Sequence, residues 1–279
     1  MISTSKHSVP TRGGDVSYRV KGKGQPIVLL HATLHDGRDY EVIADRLAEK
    51  YQAISVDWPW HGDSKGVSSK EYLGAVGFAD ILEDIVEGLK LEPAIFVGNS
   101  VGGFAVARLA ITHPDKVRGL VLVNTGGFAT WTPFSRLVAR LLGFATISRW
   151  VTPHLVGKYM SPQTSHDEEI TRRVTARART EEGASIAAAL WRSFLDPGHD
   201  LRSRAGSIKA PVLLLWGTRD PVCSKAVAEA TRLCIPHAKL EFIDAGHVVF
   251  SSKPNEFHQL LQPFLESVFD GGEPQGGRP

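Results

Sequence analysis

The sequence holds only two cysteines, Cys223 and Cys234, in 279 residues. If both lie on the helix expected after Pro221, they stand about 16 Å apart at ~1.5 Å per residue, beyond the reach of a disulfide. They read as ordinary thiols of a reducing compartment. No apolar run approaches the roughly 20 residues that span a bilayer, and the opening Met1 to His7 has no apolar stretch of signal-peptide length. A cytoplasmic protein without a membrane span is expected. Charge of one sign is also lacking: 32 Lys and Arg against 30 Asp and Glu leave a formal +2, which is not the basic footprint of a nucleic-acid binder. The densest basic stretch, Arg172, Arg173, Arg177 and Arg179, reads as a solvated helix face. No internal repeat is evident.

What is present is ordinary for a globular chain, with 42% hydrophobic and 22% charged residues. A chain of this length buries about three quarters of its unfolded surface, enough for one large domain. Short apolar runs at 27–30, 53–56, 94–97, 120–123 and 212–216 fit strands of a parallel sheet covered on both faces. Between and after them, Ile81, Leu82, Ile85, Val86 and Leu89, then Phe257, Leu260, Leu261, Phe264, Leu265 and Val268, recur as helical stripes. This alternation predicts an α/β fold with a mostly parallel, doubly wound sheet whose ligands bind beyond the carboxyl ends of the strands. It breaks from about Gly127 to Lys209, where helical patterns continue without a strand. Residues 1–127 and 209–269 are therefore expected to form the core and 128–208 an inserted helical cap. The tail 270–279, which has no apolar residue to bury, is expected to be disordered.

The strongest local signal is Gly98-Asn99-Ser100-Val101-Gly102-Gly103, between the apolar run ending at Val97 and the helical pattern from Ala105. A serine on a sharp strand-to-helix turn needs small neighbours two residues to either side, which Gly98 and Gly102 supply, and that context defines a nucleophile elbow. The first free N–H of the helix, on Val101, can then face an oxyanion.

On these residues the chain resembles the α/β-hydrolase superfamily from about residue 8 to 269. The resemblance implies a second oxyanion N–H on Thr33, in His31-Ala32-Thr33-Leu34, where many members carry glycine in place of Ala32. Alanine resists positive φ, so the backbone there is less fixed than at the elbow. His31 reads as a structural residue shaping that loop. The segment 57–64 resembles the family loop Asp-x-Pro-Gly-x-Gly-x-Ser, with Trp60 in place of a glycine; Trp60 either lines the pocket mouth or packs on the surface. Gly217 to Val222 resembles the acid loop and Asp244 to Phe250 the histidine loop. They imply Asp220 as the orienting acid and His247 as the base, in the order Ser, Asp, His expected of this fold. An alternative acid position after the preceding strand holds Asn124, which cannot carry the charge.

The family chemistry implied is hydrolysis of a small carboxylic ester, thioester or lactone through an acyl-enzyme on Ser100, with no metal or organic cofactor. A serine hydroxyl attacks only once a base removes its proton, and a carboxylate fixes the imidazole tautomer. Two other readings stay open: a carbon–carbon bond hydrolase of ring-cleavage products, whose elbow is similar, and a ligand-binding protein that keeps the fold without turnover. The cap aromatics Trp131 and Phe134, with Leu137, Leu141, Leu142, Phe144 and Trp150, are expected to supply an apolar pocket for the substrate, some of them packing on the core instead.

Overall fold

A computed structural model describes residues 4–67 and 72–271. Among them, eight strands form one sheet: β1 Thr4–Thr11, β2 Gly14–Lys21, β3 Pro26–Leu30, β4 Gln52–Val56, β5 Ala94–Asn99, β6 Val117–Val123, β7 Val212–Gly217 and β8 Lys239–Ile243. Their order is β1-β2-β4-β3-β5-β6-β7-β8. Pairings from β4 through β8 are parallel, and β2 pairs antiparallel with both β1 and β4. The five apolar runs are the five inner parallel strands. Every residue of β5 and β7 is buried, which is why those strands read as continuous apolar segments rather than alternating ones.

Helices α1 Glu41–Leu47, α2 Ala75–Gly88 and α3 Val101–Thr112 connect the first strands. Between β6 and β7 the chain runs through α4 Pro133–Leu142, α5 Ala145–Met160, α6 Ser165–Ala178 and α7 Glu181–Ser193; α8 Lys225–Cys234, α9 Val249–Ser252 and α10 Pro254–Asp270 complete it. The stripe on α2 is buried at Ile81, Leu82, Ile85 and Val86, and that on α10 at Phe257, Leu261, Leu265 and Val268. No described helix is long and apolar enough to cross a membrane.

Several sequence expectations change. Helix α8 begins at Lys225, so Cys223 lies in the loop before it; it is buried, Cys234 is half-buried, and both are free thiols. The basic stretch on α6 is not wholly solvated. Arg173 pairs with Asp39 and Asp36, and Arg177 donates to the Trp60 carbonyl, while Arg172 and Arg179 stay exposed. Asp270 ends α10 instead of opening a tail, and residues 272–279 lie outside the described residues.

The segment between β6 and β7 is tied back to the sheet by a buried aromatic stack. His199, in the turn after α7, sits between Phe104 of α3 and Phe194, with ring centroids 4.6 and 5.0 Å away. Its Nε2 has no hydrogen-bond partner. Burial therefore lowers its pKa to about 4, against the pull of Asp200 and Asp196, and the ring is neutral in the folded protein.

Since the unfolded chain protonates this histidine near pH 6.5, its contribution to stability is complete above that pH and is lost as pH falls toward about 4. Wild type should lose about 2–3 kcal/mol more than His199→Phe between pH 7 and 4.5, at 1.36 kcal/mol per pKa unit. Urea unfolding of both proteins at the two pH values measures this; equal losses would show that His199 is not held neutral.

Candidate active site

The strand order reverses between β3, which leads outward to β4, and β5, which leads to β6. The crevice beyond the carboxyl ends of β3 and β5 is thus the topological switch point. The Ala32–Leu34 loop leaves β3 there, and Ser100 leaves β5. Ser100 has φ 56° and ψ −113°, a combination that costs on the order of 1–3 kcal/mol and survives because packing fixes it. A Cβ on Gly98 would lie 2.5 Å from the Gly102 carbonyl carbon, and one on Gly102 would lie 2.4 Å from the Leu30 carbonyl oxygen. The two glycines let the turn close against the end of β3.

The loop after β3 avoids the problem posed by Ala32. Ala32 does not have positive φ; the left-handed residue is Leu34, at 67°. Two buried histidines hold this loop. His31 Nδ1 donates to the Ala32 carbonyl at 2.7 Å, and its Nε2 accepts the Trp58 N–H at 3.0 Å. His61 Nδ1 donates to the Pro59 carbonyl at 2.8 Å, and its Nε2 accepts the Leu34 N–H at 3.1 Å. Burial lowers both pKa values, for His61 with help from the Arg177 charge, so both rings stay neutral and can accept. The N–H groups of Thr33 and Val101 donate to no protein acceptor among the described residues.

Asp220 follows β7 and His247 follows β8, and His247 Nδ1 bonds Asp220 Oδ2 at 2.6 Å. Both side chains are buried. Burial alone would raise the Asp220 pKa. The His247 ring and the N–H groups of Cys223 and Val222 outweigh it and hold the carboxyl below its usual range. Asn124 also serves this pair: its Nδ2 donates to Asp220 Oδ2 at 2.6 Å, and its Oδ1 accepts the Gly217 N–H at 2.9 Å. Asn124 thus holds the Asp220 carboxylate against the end of β7. Asn99, beside Ser100, donates to the His247 carbonyl at 3.0 Å, so the elbow and the histidine loop share one support. Cys223 brings its sulfur within 4.8 Å of ligand-type atoms of Asp220 and His247, but burial raises its thiol far above the usual range and it stays protonated.

Thr33, Ser100 and His247 line one narrow cavity of about 90 Å³, well under the roughly 300–1,000 Å³ that holds a drug-sized ligand. Its other walls include Leu155 and Tyr159 of α5, Leu190 and Trp191 of α7, and Phe194. The three residues expected to bind substrate are not among the wall residues. Trp60 donates its indole N–H to the Val67 carbonyl and packs on the core at φ 62°, Trp131 stacks on Phe194 from outside the cavity, and Phe134 is 75% exposed. Sequence reading also missed His35 and Tyr159. His35 bonds the Asp39 carboxylate through Nδ1, and its Nε2 meets the Tyr159 hydroxyl at 3.1 Å. The Tyr159 ring lies edge-on to His247, and its carbonyl accepts the His247 N–H at 2.8 Å. Asp39 lies on the turn before α1 and Tyr159 at the end of α5, and no spacing in the sequence links them.

Comparison with known proteins agrees with this architecture. The chain is 28% identical over 260 residues to a pimeloyl-[acyl-carrier protein] methyl ester esterase of Chromobacterium violaceum, covering 88% of this chain and 96% of that one. It is 25% identical over 264 residues to the Aliivibrio salmonicida protein of the same name, covering 88% and 95%. Among solved structures, a thermophilic esterase from Thermogutta terrifontis superposes with a TM-score of 0.79 at 20% identity, over 95% of this chain and 99% of that one. A profile of the Alpha/beta hydrolase family matches residues 27–260, and the chain belongs to that family.

Proposed function

We propose that the protein is a serine hydrolase that cleaves a small carboxylic ester, thioester or lactone through an acyl-enzyme on Ser100. The observation that carries this reading is the buried Asp220–His247 pair, which opens onto the same cavity as the strained serine. The names of the esterase relatives agree with it. In this reading residues 128–208 serve as a cap over the core formed by 1–127 and 209–269. The free thiols accord with a cytoplasmic setting.

The Ser100 hydroxyl attacks the carbonyl carbon as His247 Nε2 takes its proton, and Asp220 stabilises the imidazolium. The resulting oxyanion accepts from the unpaired Val101 and Thr33 N–H groups. The proton on His247 then passes to the leaving alcohol or thiol, and water repeats the sequence to release the acid. No Ser100–His247 hydrogen bond is formed among the described residues; such contacts commonly tighten only in the substrate complex.

Ser100→Ala should lower kcat by roughly 10⁴- to 10⁶-fold, since the three residues act as a unit. Asp220→Asn should cost about 10⁴-fold by favouring the wrong tautomer, with circular dichroism showing an intact fold. Asn124→Ala should lower kcat far less; its main effect is on stability, about 1–3 kcal/mol for the unpaired Gly217 N–H and the weakened support of Asp220. Steady-state kinetics and urea unfolding separate the two, and a larger kcat loss in Asn124→Ala than in Asp220→Asn would move the acid assignment.

The cavity size sets a second expectation. For p-nitrophenyl esters, kcat/KM should rise up to about fourfold per added methylene while the cavity fills, at ~0.8 kcal/mol each, peak at short chains and fall by octanoate. A steady fall from acetate onward would mean that the cavity does not take the acyl chain, and a rise through octanoate would mean that the chain binds elsewhere.

A further inference from the structure

The apolar residues of the insertion that do not line the cavity point outward. On α4, Phe134, Leu137 and Leu141 fall at i, i+3 and i+7, one helical stripe, while the same helix buries Ala139 and Leu142 on a different side. Helix α4 therefore has two apolar sides, and only one is used by the fold. Helix α5, packed against α4, adds Phe144 at its N-cap and Trp150 on its solvent side. These five side chains are between 46% and 78% exposed. Scattered apolar residues on a surface are normal, but a stripe of three large ones along one helix, with Phe144 just past its end and Trp150 on the helix packed against it, marks an interaction surface.

The charge of the segment indicates what covers it. From Lys116 to His166 the chain has no aspartate or glutamate, and every charged residue is a lysine or arginine. Arg136 and Arg140 are exposed beside the α4 stripe. Arg149 and Trp150 border one shallow groove with His154 and Arg179. In a chain that is nearly neutral as a whole, this segment thus has an ordinary share of cations but no acid to balance them, and so carries net positive charge beside its exposed aromatics. Apolar residues flanked by Lys and Arg, with Trp and Phe among them, are the composition of helices that lie in the plane of a bilayer, and anionic headgroups attract the cations.

We propose that the outward faces of α4 and α5 form a peripheral docking surface for an anionic phospholipid membrane. The apolar stripe enters the headgroup boundary, Arg136, Arg140 and Arg149 contact lipid phosphates, and no segment crosses the bilayer. The surface is separate from the Ser100 cavity, so docking does not depend on the hydrolase reading.

The test is co-sedimentation of the full chain with vesicles of phosphatidylcholine alone and of phosphatidylcholine with phosphatidylglycerol. Wild type should partition onto the anionic vesicles at low salt. Leu137→Ser with Leu141→Ser should reduce that partition at least about tenfold by removing buried apolar area. Arg136→Gln and Arg140→Gln should each reduce it about fivefold, the equivalent of ~1 kcal/mol per cation. An unchanged thermal midpoint in all variants shows that the fold is kept. Absence of binding to anionic vesicles, or equal binding by the double serine variant, overturns the proposal. So does a dimer in sedimentation velocity that the double serine variant breaks, because a second copy of the chain then covers the face.

Discussion

The structure is organised around one close approach of backbone to backbone. At the elbow, the turn carrying Ser100 presses against the end of β3, with only hydrogen atoms of Gly98 and Gly102 between main-chain groups. That contact holds a serine at a φ that L-residues rarely adopt. It also brings the carboxyl ends of β3 and β5 together at the switch point, so the N–H of Val101 and the loop bearing Thr33 face the same space. A Cβ at Gly102 would force α3 away from the end of β3, one at Gly98 would force the start of α3 away from β5, and the loss would reach Ser100, the Val101 and Thr33 N–H groups and the cavity together.

Around this contact most buried polar groups are paired, Thr33 Oγ1 and Asn99 Oδ1 being exceptions. His31 and His61 act as neutral struts, each donating through Nδ1 to a nearby carbonyl and accepting a main-chain N–H through Nε2. Asp57 accepts the Gly37 and Asp63 N–H groups at 2.7 and 2.9 Å while Arg19 balances its charge. Such networks rigidify a loop because an unpaired buried group is costly. Burial keeps His31 and His61 uncharged inside these networks and His199 uncharged inside its aromatic stack, while His247 alone among these four is paired with a carboxylate.

Much of this was legible in the sequence for identifiable reasons. The inner strands are continuous apolar runs because both faces are covered, whereas β1 and β8 each have a single buried residue, Val9 and Ile243; neither leaves a pattern to read. The elbow announced itself because its glycines are demanded by sterics. The acid loop and the histidine loop were found through family resemblance, and the structure brings their residues within hydrogen-bond distance. The pocket walls were not legible. Periodicity on α4 says that a face is apolar but not which way that face looks, and Phe134, Leu137 and Leu141 face solvent while Leu142 is buried. Trp60 takes a left-handed backbone where the family usually has glycine, which accounts for the family preference but says nothing of substrate.

Tyr159 gives the insertion a hold on the chemistry that its position in the sequence does not suggest. One residue in the last turn of α5 receives the main-chain N–H of His247, lays its ring against the imidazole and meets His35 through its hydroxyl. Access and alignment are thereby linked: a displacement of α5 wide enough to admit a bulky molecule would remove one of the supports of the histidine loop and leave those from Asn99 and Asp220. By the reciprocity of linked equilibria, whatever steadies the His247 ring also steadies the last turn of α5, and the reverse.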